Sequence, residues 1–141
     1  MDEYHYHGDT VLSAFGPNRE YLLVWMDGLE RESQKKLILH NQNNIILLND
    51  MDRQLYAANS FHLMFEDQYY LFLPEGVSDY LIAEIEKRNV TPILVNVSEF
   101  LKKGGGSIKC MLCDLGYLMD YEKKSNESIL SFRKEHLYQA L

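Results

Sequence analysis

A chain of 141 residues has the length of one domain, and 46% hydrophobic residues are enough to build a core. A formal charge of −7, with no basic cluster to offset it, argues against a nucleic-acid surface, and no apolar run reaches the length of a membrane span. Two cysteines make no disulfide framework, and the acidic, His- and Tyr-rich start from Met1 to Asp9 is the opposite of a signal peptide, so a cytoplasmic, reduced protein is the expectation.

After that polar lead-in, Thr10 to Phe15 reads as a short strand and Gly16-Pro17-Asn18-Arg19 as a turn. Tyr21-Leu22-Leu23-Val24-Trp25 is a continuous apolar run of strand length, expected to be buried on both faces, and Asp27-Gly28 ends it. Leu29 to Leu39 has helical composition, with Leu29, Ser33, Lys36, Leu37 and His40 on one face. Asn41 to Asn44 breaks it, Ile45 to Leu48 reads as a second buried strand, and Asp50 to Ala58 as one or two helical turns.

The same order then recurs. Asn59 to Phe65 is β-like, Glu66-Asp67-Gln68 turns, and Tyr69 to Leu73 is a buried strand stopped by Pro74-Glu75-Gly76. Ser78 is placed to cap a helix running to about Arg88, and Pro92 sits at the start of a strand through Val97. In register, Tyr21 falls on Tyr69, Leu23 on Leu71, Gly28 on Gly76, Ile45 on Ile93 and Leu47 on Val95, each 48 positions apart without a gap. A fixed period of this size marks a repeat architecture, here of strand, turn, strand, helix, strand. The repeats span about 10–50 and 58–98. One unit cannot bury both faces of its own strands, so units must stack or form a ring.

A third unit is due near Ser107, and residues 107–114 read as a strand carrying Cys110. Gly104-Gly105-Gly106 precede it, and glycine lets backbone or a ligand approach closely. Cys110 and Cys113 form a Cys-x-x-Cys, but on a strand they face opposite sides, so one thiol is expected to face a pocket and the other a core rather than to act as a redox or zinc pair. No second helix and strand follow on schedule. Residues 122–141 form a tail, with a polar spacer and an amphipathic helix over 128–141. At the other end, His5, His7 and Asp9 alternate, and an extended chain would turn all three to one side, a set able to hold a divalent metal.

His7-Gly8-Asp9-Thr10 before a strand, Ala58-Asn59 at the unit boundary, and Val97-Ser98-Glu99-Phe100 followed by Gly104-Gly105-Gly106-Ser107-Ile108-Lys109-Cys110-Met111 together resemble the C-terminal part of the guanidino-group-modifying enzymes. That superfamily includes arginine deiminases, dimethylarginine dimethylaminohydrolases and amidinotransferases, and its pentein fold is a five-bladed α/β propeller of ββαβ units. The likeness runs from about Tyr6 to Leu115. It implies an α/β fold with residues 1–121 as a partial pentein domain of about two and a half units.

It also implies Cys110 as nucleophile, His7 as general acid/base, and Asp9 as the carboxylate that grips a guanidinium. Gly105 and Gly106 bring backbone up to the substrate. The residue types suit the chemistry. A guanidinium carbon is a poor electrophile and a thiolate a strong nucleophile near neutral pH, an imidazolium can protonate the leaving amine, and a carboxylate matches the planar N–H fork. The implied course is attack by the thiolate on an arginine-like small molecule, giving a covalent thiouronium that water or an amine resolves. No cofactor and no metal are implied.

Gly8 stands where the family usually has an apolar residue. Two and a half units also fall short of five, so an active form is expected to need a complementary N-terminal chain or further copies of itself. Two other readings follow from the same residues: a non-catalytic truncated pentein used as a binding or regulatory module, and a metal-binding domain built on His5, His7 and Asp9.

Overall fold

The structure is a computed structural model and describes residues 7–113. The tail at 122–141, with its expected helix, and His5 lie outside the described residues. Among the described residues the fold is mixed α/β, with two three-stranded sheets and four α-helices.

In the first sheet, β1 (Leu12–Phe15) pairs antiparallel with β2 (Tyr21–Val24), and β2 pairs in parallel with β3 (Ile45–Leu47) after a crossover through α1 (Arg31–Asn41). A short helix, α2 (Asp50–Gln54), leads to the second sheet. There β4 (Phe61–Phe65) pairs antiparallel with β5 (Gln68–Pro74), and β5 in parallel with β6 (Val90–Val95) after α3 (Asp79–Glu86). A fourth helix, α4 (Ser98–Gly104), follows. Both sheets place the middle strand of the chain order in the middle of the sheet. The apolar runs explain why: Leu23, Leu71 and Leu73 lie on the central strands and are fully buried.

The alignment of the two sheets is not gapless. Ser13, Leu23 and Ile46 stand in line across the first, and His62, Leu71 and Pro92 across the second, so the offsets are 49, 48 and 46. The first hairpin loop runs from Gly16 to Glu20, whereas the second is the two-residue turn Glu66-Asp67, with φ of 49° and 60° at its centre. The slip of two between β2/β3 and β5/β6 preserves which face each side chain takes, because the strand repeat is two.

Several expected details differ. The strand Ile45 to Leu48 is an edge strand rather than one buried on both faces: Ile46 is buried and Leu47 is half exposed. β6 begins at Val90, so Pro92 lies within it; β6 is an edge strand, where a missing N–H is tolerated. No residue of α1 is buried, so its expected face covers no core among the described residues. Over residues 107–113, the described part of the strand expected at 107–114, no strand forms. Through residue 113 the chain instead makes a 3-10 turn, Lys109–Met111, held by side-chain hydrogen bonds rather than a neighbouring strand.

One core joins the two sheets. Phe15, Leu23, Ile46 and Leu48 from the first unit meet Ala57, Ala58, Leu71, Leu73, Val77, Leu81, Ile85 and Val90. Polar clamps reinforce the join. Asp52 of α2 is fully buried, and both its oxygens are used by one residue: Ser78 N–H donates to Oδ1 at 2.7 Å and Ser78 Oγ to Oδ2 at 2.8 Å. The same Ser78 Oγ accepts from Leu81 N–H at 3.2 Å, the N-cap expected for α3. The guanidinium of Arg53 lies over the Trp25 ring at 4.8 Å, and that of Arg88 over Tyr21 at 5.5 Å, each reaching back to the first sheet.

Replacing Asp52 with Ala strands the buried Ser78 N–H and uncouples α2 from α3, so we expect a loss of about 3 kcal/mol, read from urea unfolding midpoints. His62 on β4 stacks on Tyr69 at 5.7 Å, and its buried Nε2 has no partner among the described residues. Burial foremost, then the charge of Arg19, lowers its pKa from 6.5. The unfolded chain therefore binds this proton more readily, and stability should fall as pH drops from 6.5 through the lowered folded value. Unfolding free energies measured across that range should lose this slope in His62→Phe.

Candidate active site

Two turns far apart in the chain, and one asparagine between them, build the candidate site. The first is the 3-10 turn Gly8–Thr10. His7 precedes it in extended conformation, and its carbonyl accepts from Thr10 Oγ1 at 2.6 Å and from Thr10 N–H at 3.1 Å. Thr10 is buried, so this closure fixes the turn to the body while His7 and Gly8 stay at the surface. Val11 continues the anchorage by accepting from Trp25 N–H at 2.8 Å. Asp9 projects from the turn with its side chain one third exposed. A Cβ on Gly8 would meet nothing within 4 Å, so the departure from an apolar residue here leaves no packing defect among the described residues.

The second turn follows α4. Lys102 and Lys103 close that helix and Gly105, at φ 65°, supplies its left-handed cap, a charge and glycine pattern that marks a helix end. Gly106, Ser107 and Ile108 then run inward, and Lys109 and Cys110 return to the surface. Asn59, fully buried just before β4, holds this turn at three points. Its Oδ1 accepts from Ser107 N–H at 2.8 Å and from Cys110 N–H at 3.1 Å, and its own carbonyl accepts from Lys109 N–H at 3.0 Å. These bonds take the backbone donors that a strand would have offered to a neighbour, which is why 107–113 turns instead of extending.

The glycine at 106 has a steric reason. A Cβ there would lie 2.5 Å from Cys110 Sγ and 2.9 Å from Cys110 Cβ, so the thiol packs over the bare Cα. Cys110 and Cys113 are both free and exposed. The expectation that one thiol would face a core is therefore corrected, since it assumed a strand that the turn replaces.

The two turns meet. Lys109 Nζ lies 3.6 Å from Asp9 Oδ2, one hundred residues away in the chain. Asp9 and the Cys110 turn thus share one surface, with His7 two residues from Asp9 on its own turn. Sequence reasoning assigned no role to Asn59 or Lys109. A signal for Asn59 was present: it and Ser107 stand 48 positions apart, the spacing expected for the repeat. Among the described residues, no group of three or more His, Cys, Asp or Glu is placed to hold a metal ion, and no helix is long and apolar enough to cross a membrane.

A family model described as N,N dimethylarginine dimethylhydrolase, eukaryotic, matches residues 2–116. Among solved structures, the chain is similar to apo ArgZ, an arginine dihydrolase from the ornithine-ammonia cycle in cyanobacteria, with a TM-score of 0.69 and 22% identity over 79% of this chain and 17% of that one. A variant of AgrE in binary complex with L-arginine gives a TM-score of 0.69 and 22% identity over 79% of this chain and 16% of that one. The N-terminal domain of ArgZ bound to product gives 0.69 and 23% identity, over 79% of this chain and 38% of that domain. At this identity the likeness is one of fold. The chain spans 17% of the length of the first of these structures. No curated protein matches it.

Gly106→Ala strikes Cys110 Cβ as well as its thiol, and Cβ can retreat only if the 107–110 turn shifts, so the substitution should displace Cys110 and strain the turn. We expect the alkylation rate of Cys110 to fall about tenfold relative to Cys113, read by peptide mass spectrometry, with about 1–3 kcal/mol lost in urea unfolding.

Proposed function

The chain belongs to the eukaryotic N,N dimethylarginine dimethylhydrolase family, and from that premise we propose that it carries the cysteine-bearing part of a guanidino-hydrolase site. Cys110 is the nucleophile, His7 the general acid/base, Asp9 the carboxylate that receives the guanidinium, and Gly105 and Gly106 the backbone that lets the substrate approach. Cys110 Sγ bonds to the guanidinium carbon of an arginine-like substrate, the C–N bond to the leaving amine breaks, and His7 gives that amine its proton. Water then adds to the thiouronium carbon, His7 takes a proton from it, and the C–S bond breaks to return the thiolate and release a ureido product. The family's description favours water over an amine as the second nucleophile.

The observation that carries this reading is the meeting of Asp9 with Lys109, the residue beside Cys110. In this resting arrangement a lysine ammonium stands where the substrate's cation would stand. Such an exposed pair is weak, so a bidentate guanidinium can displace it.

The two sheets are read as two blades of a pentein propeller, with the third opening at Ser107, over a partial domain of residues 1–121 followed by a tail. Supporting this, starts of successive units touch: Ser13 Oγ is 3.3 Å from Ser60 Oγ, and Asn59 bonds Ser107. Completion by another chain, either copies of this one or an N-terminal partner, would cover the open sheet edges. The two thiols suit a reducing cytoplasm.

The test is selective modification. A haloacetamidine should alkylate Cys110 well ahead of Cys113, arginine or dimethylarginine should protect it, and Asp9→Asn should abolish the protection. In the assembled protein, whose mass in solution should exceed one chain, His7→Ala should lower ureido-product formation by about a hundredfold. A strict monomer whose two cysteines react alike, unprotected by any guanidino compound, would overturn the reading in favour of a non-catalytic module.

A further inference from the structure

We propose that Asn59 is a positioning residue for Cys110, holding the 107–110 turn so that the thiol stands out over Gly106. This rests on the reading of Cys110 as nucleophile. Asn59 lies on the other side of a unit boundary, fifty-one residues from Cys110. It is fully buried, and so is Ser107. A buried amide is costly unless its hydrogen bonds are made, and here they are made on one side only. Oδ1 gathers the N–H groups of Ser107 and Cys110, whereas Nδ2, like Ser107 Oγ, has no partner among the described residues.

The core therefore does not explain this asparagine. An apolar side chain would fill the space without an orphaned donor. What Asn59 supplies is one acceptor, shared by two amides at the two ends of the turn, and a carbonyl for the amide between them. That same Oδ1 lies 3.5 Å from where a Gly106 Cβ would be, and Cys110 Sγ 2.5 Å from it, so amide and thiol flank the same bare carbon. Holding both ends of the turn fixes the direction of the Cys110 side chain, and with it the line of attack, which a small misplacement would spoil.

The experiment has two readouts on the full chain. Amide hydrogen exchange in the wild type should show Ser107 and Cys110 protected; free exchange at both would overturn the proposal without any variant. Cys110 alkylation is then followed against pH, with Cys113 as internal reference. Asn59→Ala should lose the protection and slow Cys110 by at least about tenfold while leaving Cys113 unchanged. Asn59→Asp keeps the acceptor, so it should keep the protection, and its buried carboxylate should move the Cys110 profile, and not that of Cys113, to higher pH. Folded variants with the wild-type Cys110 profile would overturn the positioning role and leave the nucleophile reading intact. If wild-type Cys110 itself reacts no faster than Cys113, the nucleophile reading falls and this inference falls with it.

Discussion

One carboxamide oxygen decides the shape of the most chemically interesting part of this chain. Asn59 Oδ1 draws two backbone amides, at Ser107 and Cys110, onto a single buried point. A glycine-rich segment following a helix has little reason of its own to adopt one conformation, since glycine gives up the most freedom on ordering. Buried acceptors are strong organisers of such segments because leaving them unpaired is expensive. With the turn fixed, Lys109 falls beside Asp9 and Cys110 falls over Gly106.

The same principle, a buried polar side chain completing backbone far away in the chain, recurs at the Asp52–Ser78 clamp, where a carboxylate on α2 both anchors and orients the cap of α3. The cationic side chains Arg53 and Arg88 then lie on the rings of Trp25, just past β2, and of Tyr21 within it. The result is two units welded through one core rather than two separate sheets. Away from that weld, apolar side chains remain in the open: Leu47 and Leu94 on the outer strands, and Met64 and Phe65 at the second hairpin. A chain that spans only a fraction of the structures it resembles is expected to leave such surfaces.

Much of this was legible in the residues. The buried central strands announced themselves as unbroken apolar runs at Tyr21 to Val24 and Tyr69 to Leu73, and Ser78 announced its helix by capping chemistry that acts within four residues. The matched glycines misled in detail: Gly28 is required because a Cβ would strike Trp25 and Val11, Gly76 because its φ is +95°. They coincide in alignment for unrelated reasons, which is one way a period looks more regular than its strand register. The helix α4 is only seven residues long and ends in glycine, too short to display a helical period, and the strand expected at Cys110 failed because propensity is local whereas the bond to Asn59 is not. The motif residues were visible, but their arrangement depends on contacts fifty and one hundred positions away, which no local pattern encodes.

The Asp9 turn and the Cys110 turn occupy one surface, joined at Lys109. Zero-length carbodiimide coupling tests it most directly, since it joins a carboxylate to an amine only where the two already touch. Proteolysis and mass spectrometry of the coupled full-length protein should reveal an amide between the Asp9 carboxyl and the Lys109 amine, lost in Asp9→Asn. Lys109 coupling only to carboxylates elsewhere in the chain, with Asp9 untouched, would contradict it.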